Sequence, residues 1–239
     1  MSSYILFDLE WVATLFKGQI PEIISIGAVK LGDKAGHVVE VDRFQAYVRP
    51  LKAKRLNKRT TKITGIRPQD VSTQDDFKKT WRRFVKWLGT DDYYLLTWGT
   101  EDVRTLIHNC RQHRVTLEWL RNYNDLQAEF GRLYSLQNQT SLPNAMELLR
   151  LQYVGQHHSA IDDARNTAEI FKACFGRLRL QQNHHGQVQR KYGPKNPRRV
   201  AKPRPVSGAG SVAAQRRSER QGQGEPTGRK ASKSLVTSR

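Results

Sequence analysis

The hydrophobic positions change their period several times along the chain. Tyr4, Ile5, Leu6 and Phe7 form an unbroken apolar run, the pattern of a strand covered on both faces, and residues 3–9 are predicted as a strand that ends among acids. After a loop at Lys17-Gly18, residues 22–31 (EIISIGAVKL) predict a second strand. Residues 37–48 (HVVEVDRFQAYV) predict a third, with Gly32-Asp33-Lys34-Ala35-Gly36 as a hairpin-like link. The period then becomes helical: Phe77, Trp81, Phe84, Val85 and Leu88 make one stripe, so Trp81 and Trp87 read first as packing. Residues 93–98 (YYLLTW) predict a fourth strand, followed by a helix over 101–113 carrying Val103, Leu106, Ile107 and Cys110. A short fifth strand over 122–126 leads into a helix through Phe130 and Leu133. Another helix starts at Ser141 as cap, with Pro143 in its first turn, and runs through Leu151; a last one spans 161–178. Strand alternating with helix indicates an α/β fold of about five strands with helices on both faces.

Beyond Leu180 the apolar pattern collapses into Gln, His, Pro, Gly, Ser and Arg, as in PKNPRRVAKPRP. So polar a segment does not offset its chain entropy by burial, which predicts one folded domain over 1–180 and a disordered basic tail over 181–239. Charge sharpens that division. The chain carries 41 Lys and Arg against 22 Asp and Glu. From Arg177 onward there are 16 cations and 2 acids, net +14, which leaves +5 for residues 1–176. The tail is therefore expected to add salt-dependent affinity for a polyanion and no chemistry. No apolar run approaches the roughly 18 residues of a membrane span. The first ten residues lack the basic start of a secretory signal, so a cytoplasmic protein with no membrane partner is expected. Cys110 and Cys174 stand far apart, which excludes a disulfide framework and a CxxC zinc site and leaves two inert thiols, in the core or on a helix surface.

Asp8 and Glu10, in Phe7-Asp8-Leu9-Glu10-Trp11, are the most informative residues. Positions i and i+2 of a strand share a face, so two carboxylates stand side by side at the end of a buried strand. Such a pair repels itself unless it shares a cation, and hard ions such as Mg²⁺ or Mn²⁺ suit it; two solvated acids at a strand end are the other reading. Asp102 lies just past Trp98-Gly99 where a helix begins, also a routine place for a dipole partner. In His157-His158-Ser159-Ala160-Ile161-Asp162-Asp163 a histidine precedes Asp163 by five residues, so a loop imidazole and a helix carboxylate are able to face one site.

Asp8-x-Glu10, Asp102 after Trp98-Gly99, and His158-x-Ala160-x-x-Asp163 have the order and approximate spacing of the DEDDh branch of the DnaQ-like 3′–5′ exonucleases. The stretches Glu22-Ile23-Ile24, Ile63-Thr64-Gly65-Ile66, Asn124-Asp125-Leu126 and HHSAIDDARNTAEI resemble the Eri-type and KapD-like members of that branch over about residues 3–176. The resemblance implies a ribonuclease H-like three-layer α/β/α fold with a mixed five-stranded sheet. It also implies a metal-dependent exonuclease that releases nucleoside 5′-monophosphates from a free 3′ end of single-stranded RNA or DNA. Asp8, Glu10, Asp102 and Asp163 would hold two divalent ions, Mg²⁺ or Mn²⁺. His158 would take the proton from the attacking water. His157 and Asp162 read as packing or supporting residues.

The run Arg49, Lys52, Lys54, Arg55, Lys58, Arg59 and Lys62 leads directly into Thr64-Gly65-Ile66. It is either a solvated face or a phosphate contact, and the resemblance favours the latter: Arg55, Lys58, Arg59 and Lys62 would touch the backbone, with Leu9, Thr64, Gly65 and Ile66 near the terminal nucleotide. Two rivals stand beside this reading. One is a non-enzymatic nucleic-acid-binding or regulatory module on the same fold, as in KapD-like inhibitors of a sporulation pathway; the other is a DNA-specific repair or proofreading exonuclease. Four converging acids have no physical purpose in a pure binder.

Overall fold

Strand β1 (Ser3–Trp11) runs two residues further than the apolar run predicts, because its acids stay in the ladder with β2 (Ile23–Lys34). The structure, a computed structural model, describes residues 2–14, 21–34, 36–51 and 56–194. Lys17-Gly18, Ala35, Lys52, Lys54, Arg55 and residues 195–239 lie outside the described residues. Strand β3 (His37–Tyr47) pairs antiparallel with β2. Strand β4 (Tyr93–Thr97) lies parallel to β1, and β5 (Tyr123–Asp125) parallel to β4, giving a mixed five-stranded sheet in the order β3-β2-β1-β4-β5.

The alternation of β1 divides the core. Ile5, Phe7 and Leu9 face helices α3 (Phe77–Leu88) and α4 (Glu101–Gln112), where Trp81, Phe84, Leu106 and Ile107 are fully buried. Tyr4 and Leu6 face the other way, onto Ala164, Ala168 and Phe171 of helix α7 (Ala160–Cys174). Helices α5 (Leu126–Leu133) and α6 (Leu142–Leu148) extend that second layer through Phe130, Ala145 and Met146 against Ile170 and Cys174. Ser141 caps α6 as predicted, accepting from the Asn144 amide at 3.3 Å. Helix α7 stops at Cys174, short of the predicted 178, because Phe175 turns to an extended backbone and Gly176 takes φ +80°. Both cysteines are buried and unpaired with each other, and burial pushes both thiols above their ordinary range.

Two regions depart from the expectation. Part of the basic run is helical: α1 (Lys58–Thr64) is capped by the Asn57 side chain and ends at Gly65 in the left-handed region, φ +72°, and α2 (Pro68–Ser72) follows at once. Short helices of this kind bury few residues and leave little periodicity to read. The second departure is a correction to the boundary at 180. Residues 181–183 lie along β5, and α8 (His185–Tyr192) buries Val188 against the α4 side of the core. The amides hold this segment: Gln181 N–H donates to Asn124 Oδ1 at 2.7 Å, Asn183 N–H to Asn122 Oδ1 at 3.2 Å, and Tyr123 N–H to Asn183 Oδ1 at 3.0 Å. A polar stretch is thus ordered by hydrogen bonds to a sheet edge that apolar pattern does not reveal.

Candidate active site

Strands β1 and β4 pair from Ser3 opposite Tyr93 to Leu6 opposite Leu96 and then part. Past that point the Leu9 N–H has no strand partner on this side; it donates to Asp102 Oδ1 at 3.0 Å instead. Asp102 reaches it because Gly99, at φ +90°, turns the chain sharply from β4 into the first turn of α4. Crevices at the carboxyl ends of parallel strands are where open α/β sheets bind ligands.

On the other side of β1, Asp8 stands opposite Gly27 of β2. A Cβ on Gly27 would lie 2.2 Å from the Ile161 amide nitrogen, so only glycine lets the first turn of α7 rest on the strand. That close approach sets Asp163 over the row formed by Tyr4, Leu6, Asp8 and Glu10. The loop before α7 is fastened by polar side chains: buried Asn166 accepts from the Val154 amide at 3.0 Å and donates to the Val154 carbonyl at 2.8 Å, and Asp162 accepts from the Gln156 amide at 3.0 Å. His158 sits in the left-handed region at φ +61°, its N–H donating to Asp163 Oδ2 at 3.1 Å, while the Tyr153 hydroxyl donates to Asp163 Oδ1.

These elements enclose a cavity of about 440 Å³ lined by Asp8, Glu10, Asp102, Asp163 and His158 together with Leu9, Trp11, Ala13, Thr60, Ile63, Thr64, Trp98 and Glu101. Candidate ligand atoms of Glu10, His158 and Asp163 lie within 4.8 Å of one another. Burial first, and then mutual repulsion, raises the carboxyl pKa values. Asp8 is pushed well above the usual range by desolvation and by Asp102, Asp163 and Glu10; Glu10 rises to about 8, and Asp102 to about 7 despite the Leu9 amide that opposes the shift. Asp163 is raised by burial against the opposing hydrogen bond from Tyr153 and the nearby histidines. Four crowded carboxyl groups, with no cationic Lys or Arg lining the cavity among the described residues, are a poor arrangement for a protein alone and a good one around hard divalent cations. The donor set therefore fits such ions.

The structure brings Asp8, Glu10, Asp102, Asp163 and His158 to this one cavity, and Leu9 and Thr64 with them. Lys58, Arg59 and Lys62 are exposed on α1, whose Thr60, Ile63 and Thr64 face the cavity. Gly65 ends that helix beside Gln156. The side chain of Ile66 is not brought in: it is buried among Ile24, Leu56 and Val71, a core position that its place in the motif does not disclose. Arg55 lies outside the described residues. His157 stacks on Tyr153 with centroids 3.9 Å apart, and Asp162 holds the Gln156 amide and pairs with Arg165 at 3.5 Å, both in supporting positions as expected. Sequence reasoning missed Tyr153, Gly27, Trp11, Thr60 and Ile63. Thr60 was open to inference, since it precedes Thr64 by one helical turn; Gly27 needed the strand pairing.

Comparison with known proteins identifies the class. The Exonuclease (RNase_T) family matches residues 5–171, and the chain belongs to that family; it is a hydrolase of the 3′–5′ exonuclease type. Among its relatives is the probable 3′-5′ exonuclease KapD of Bacillus subtilis, 31% identical over 152 residues, which are 64% of this chain and 72% of that protein. Human 3′-5′ exoribonuclease 1 is 30% identical over 176 residues, 68% of this chain and 50% of that one, so the chain spans about half the length of that relative. The nuclease domain of 3′hExo, a DEDDh family member bound to rAMP, superposes with a TM-score of 0.70 at 26% identity over 77% of this chain and 97% of that one. Escherichia coli exonuclease I in complex with a dT13 oligonucleotide, at 15% identity and a TM-score of 0.60, shares the ribonuclease H-like fold.

Proposed function

We propose that this chain is a metal-dependent 3′–5′ exonuclease that removes nucleoside 5′-monophosphates one at a time from the free 3′ end of single-stranded RNA or DNA. The observation that carries the proposal is the convergence of four acids and one histidine, from three separate elements and a loop, on one cavity at the parallel strand ends. Asp8, Glu10, Asp102 and Asp163 would hold two divalent ions, Mg²⁺ or Mn²⁺; bound there, such ions neutralise charge on the leaving 3′ oxygen and make water more acidic. Asp163 serves twice, since it also fixes His158 through that residue's amide. His158 takes the proton from the attacking water. Trp11 and Ile63 form the apolar wall against which the terminal base rests, with Leu9 bordering the cavity through its strand, and Ile63 is an exposed apolar side chain that no core packing explains. The cations of α1, with Arg55, bind phosphates without reading sequence. Two buried thiols without a disulfide fit a reducing, cytoplasmic setting, and among the described residues no helix is long and apolar enough to cross a membrane.

The test is a digestion series with end-labelled single-stranded RNA and DNA oligonucleotides, with Mg²⁺, with Mn²⁺ and with chelator. Stepwise shortening from the 3′ end with mononucleotide 5′-phosphate as product is expected, abolished by chelator. Activity that survives full chelation, or cleavage within the strand, would overturn the reading.

A further inference from the structure

The strongest feature that the cavity does not use is the outer face of α3. Its sequence, FKKTWRRFVKWL, carries Lys78, Lys79, Arg82, Arg83 and Lys86, all exposed, and no acid. Positions 78 and 82, 79 and 83, and 82 and 86 are like-charged pairs one turn apart, each of which costs the helix stability. Among the described residues the only carboxylate paired with them is Asp75, at 3.9 Å from Lys79 and 3.6 Å from Arg83. A merely solvated face gains by mixing signs; this one concentrates a single sign over about 12 Å of helix.

The helix is also held firmly. Asp76 caps its start, accepting from the Lys79 amide at 2.9 Å. Its end is fixed from the sheet, where the Lys30 ammonium donates to the Trp87 carbonyl at 2.7 Å and lies over the Trp87 ring, while the Trp87 indole donates to Asp42 at 2.8 Å. Helix α3 packs on the sheet face opposite the one that carries Asp8 and Glu10, with its start toward the cavity end. A strand leaving the cavity therefore meets the helix after passing the β3 edge. Glu10, Ser25 and Tyr47 stand in one row across three strands, about 10 Å in all. Arg49, two residues past Tyr47, donates its amide to the Asp75 carbonyl at 2.9 Å and bridges to Asp76.

We propose that the basic face of α3 is a track for the phosphate backbone of the substrate strand several nucleotides upstream of the 3′ end. The inference rests on the exonuclease reading above and deepens it: the cavity holds the terminal nucleotide, and α3 holds the strand behind it. Such a track gives affinity that depends on length and salt and leaves the chemistry at the cavity alone.

The experiment compares the full chain with the variant Lys78→Gln, Arg82→Gln, Arg83→Gln, Lys86→Gln on a trinucleotide and on a single-stranded oligonucleotide of about 20 residues across a salt series. For the long substrate, KM is expected to rise about tenfold or more, and the slope of log affinity against log salt to fall by up to about 3, near 0.7 for each phosphate no longer neutralised. For the trinucleotide, kcat and KM are expected to stay as in the parent. Equal KM values for long and short substrates in the parent, an unchanged salt slope in the variant, or an equal loss on both substrates would each overturn the track. If the fourfold variant melts early, Arg82→Glu alone, with its melting temperature matched to the parent, carries the same comparison. Absence of hydrolysis of any oligonucleotide by the parent would instead overturn the exonuclease reading itself.

Discussion

Two polar segments close onto this sheet by the same means and differ in what they carry. The loop over residues 151–159 is fastened to α7 by Asn166 and Asp162, and the segment over 181–183 is fastened to β5 by Asn122, Asn124 and Asn183. In both, side-chain amides or carboxylates replace the ladder that a strand would supply. The first delivers His158 and Tyr153 to Asp163; the second delivers only Val188 and Tyr192 to a hydrophobic core. Hydrogen-bonded closure is thus a general device here, and chemistry arises only where it meets crowded acids that the fold cannot neutralise by itself.

The largest effect lies at the acids. Asp8→Ala is expected to lower turnover by at least about 10³-fold, about 4 kcal/mol of transition-state stabilisation, while the metal-free melting temperature holds or rises because repulsion is relieved. Asp163→Ala should lose comparable activity and yet melt earlier, since the Tyr153 hydroxyl and the His158 amide lose their acceptor. Initial rates alongside calorimetric melts of both variants separate the two outcomes. Near-normal turnover in either removes that residue from the catalytic set.

Next comes the histidine, which sharpens the comparison by separating what the loop holds from what it does. His158→Ala should reduce the rate by on the order of 10² to 10⁴ with divalent-ion binding near that of the parent in titration calorimetry. A lost ion site would make the imidazole a ligand, which its place within 4.8 Å of Glu10 and Asp163 atoms also permits.

Much of this was legible because it is periodic or charged. The apolar run at Tyr4–Phe7 and the stripe of Phe77, Trp81 and Phe84 follow from burial, and buried acids at the ends of such elements advertise themselves. Gly27, Ile66 and the 181–192 segment were not legible. Gly27 matters only because α7 crosses it at van der Waals distance, which strand pairing decides. Ile66 follows a helix stop that turns it inward, and Asn122, Asn124 and Asn183 form a ladder whose partners are about 60 residues apart in the chain, with no local signature.

That missed segment yields the third prediction. Ending the chain after residue 180 removes fully buried Val188, worth about 1.5–3 kcal/mol, and exposes the edge of β5. A fall in melting temperature of several degrees is expected, and with it some loss of active protein. Ending it after residue 194 should leave melting and turnover at saturating substrate unchanged. It should lessen the salt dependence of binding, since the 12 Lys and Arg beyond that point face only two Glu. Identical melting of the two truncations would show that the amide ladder contributes nothing to stability.

The smallest effect is a difference in pH response between the acid cluster that the first segment closes over and the ladder that the second segment forms. Glu10 has its folded pKa raised from 4.5 to about 8, and Asp102 from 3.8 to about 7, so the folded state binds protons that the unfolded chain has released. Their contribution to stability is present in full below the unfolded values and is lost as pH rises through the folded ones. The metal-free protein should therefore melt progressively earlier from about pH 5 to pH 8, and Glu10→Gln should flatten part of that decline. Mg²⁺ or Mn²⁺ should flatten it as well, by neutralising the same carboxylates. The ladder at β5 is built from Asn and Gln, which do not titrate, so opening of the Tyr123 and Asn183 amides by hydrogen exchange, corrected for intrinsic rates, should follow only the global stability. Local opening at Asn183 that responds to pH while the site does not would reverse the comparison, placing the protein's charge-sensitive element at its sheet edge and not at the acids.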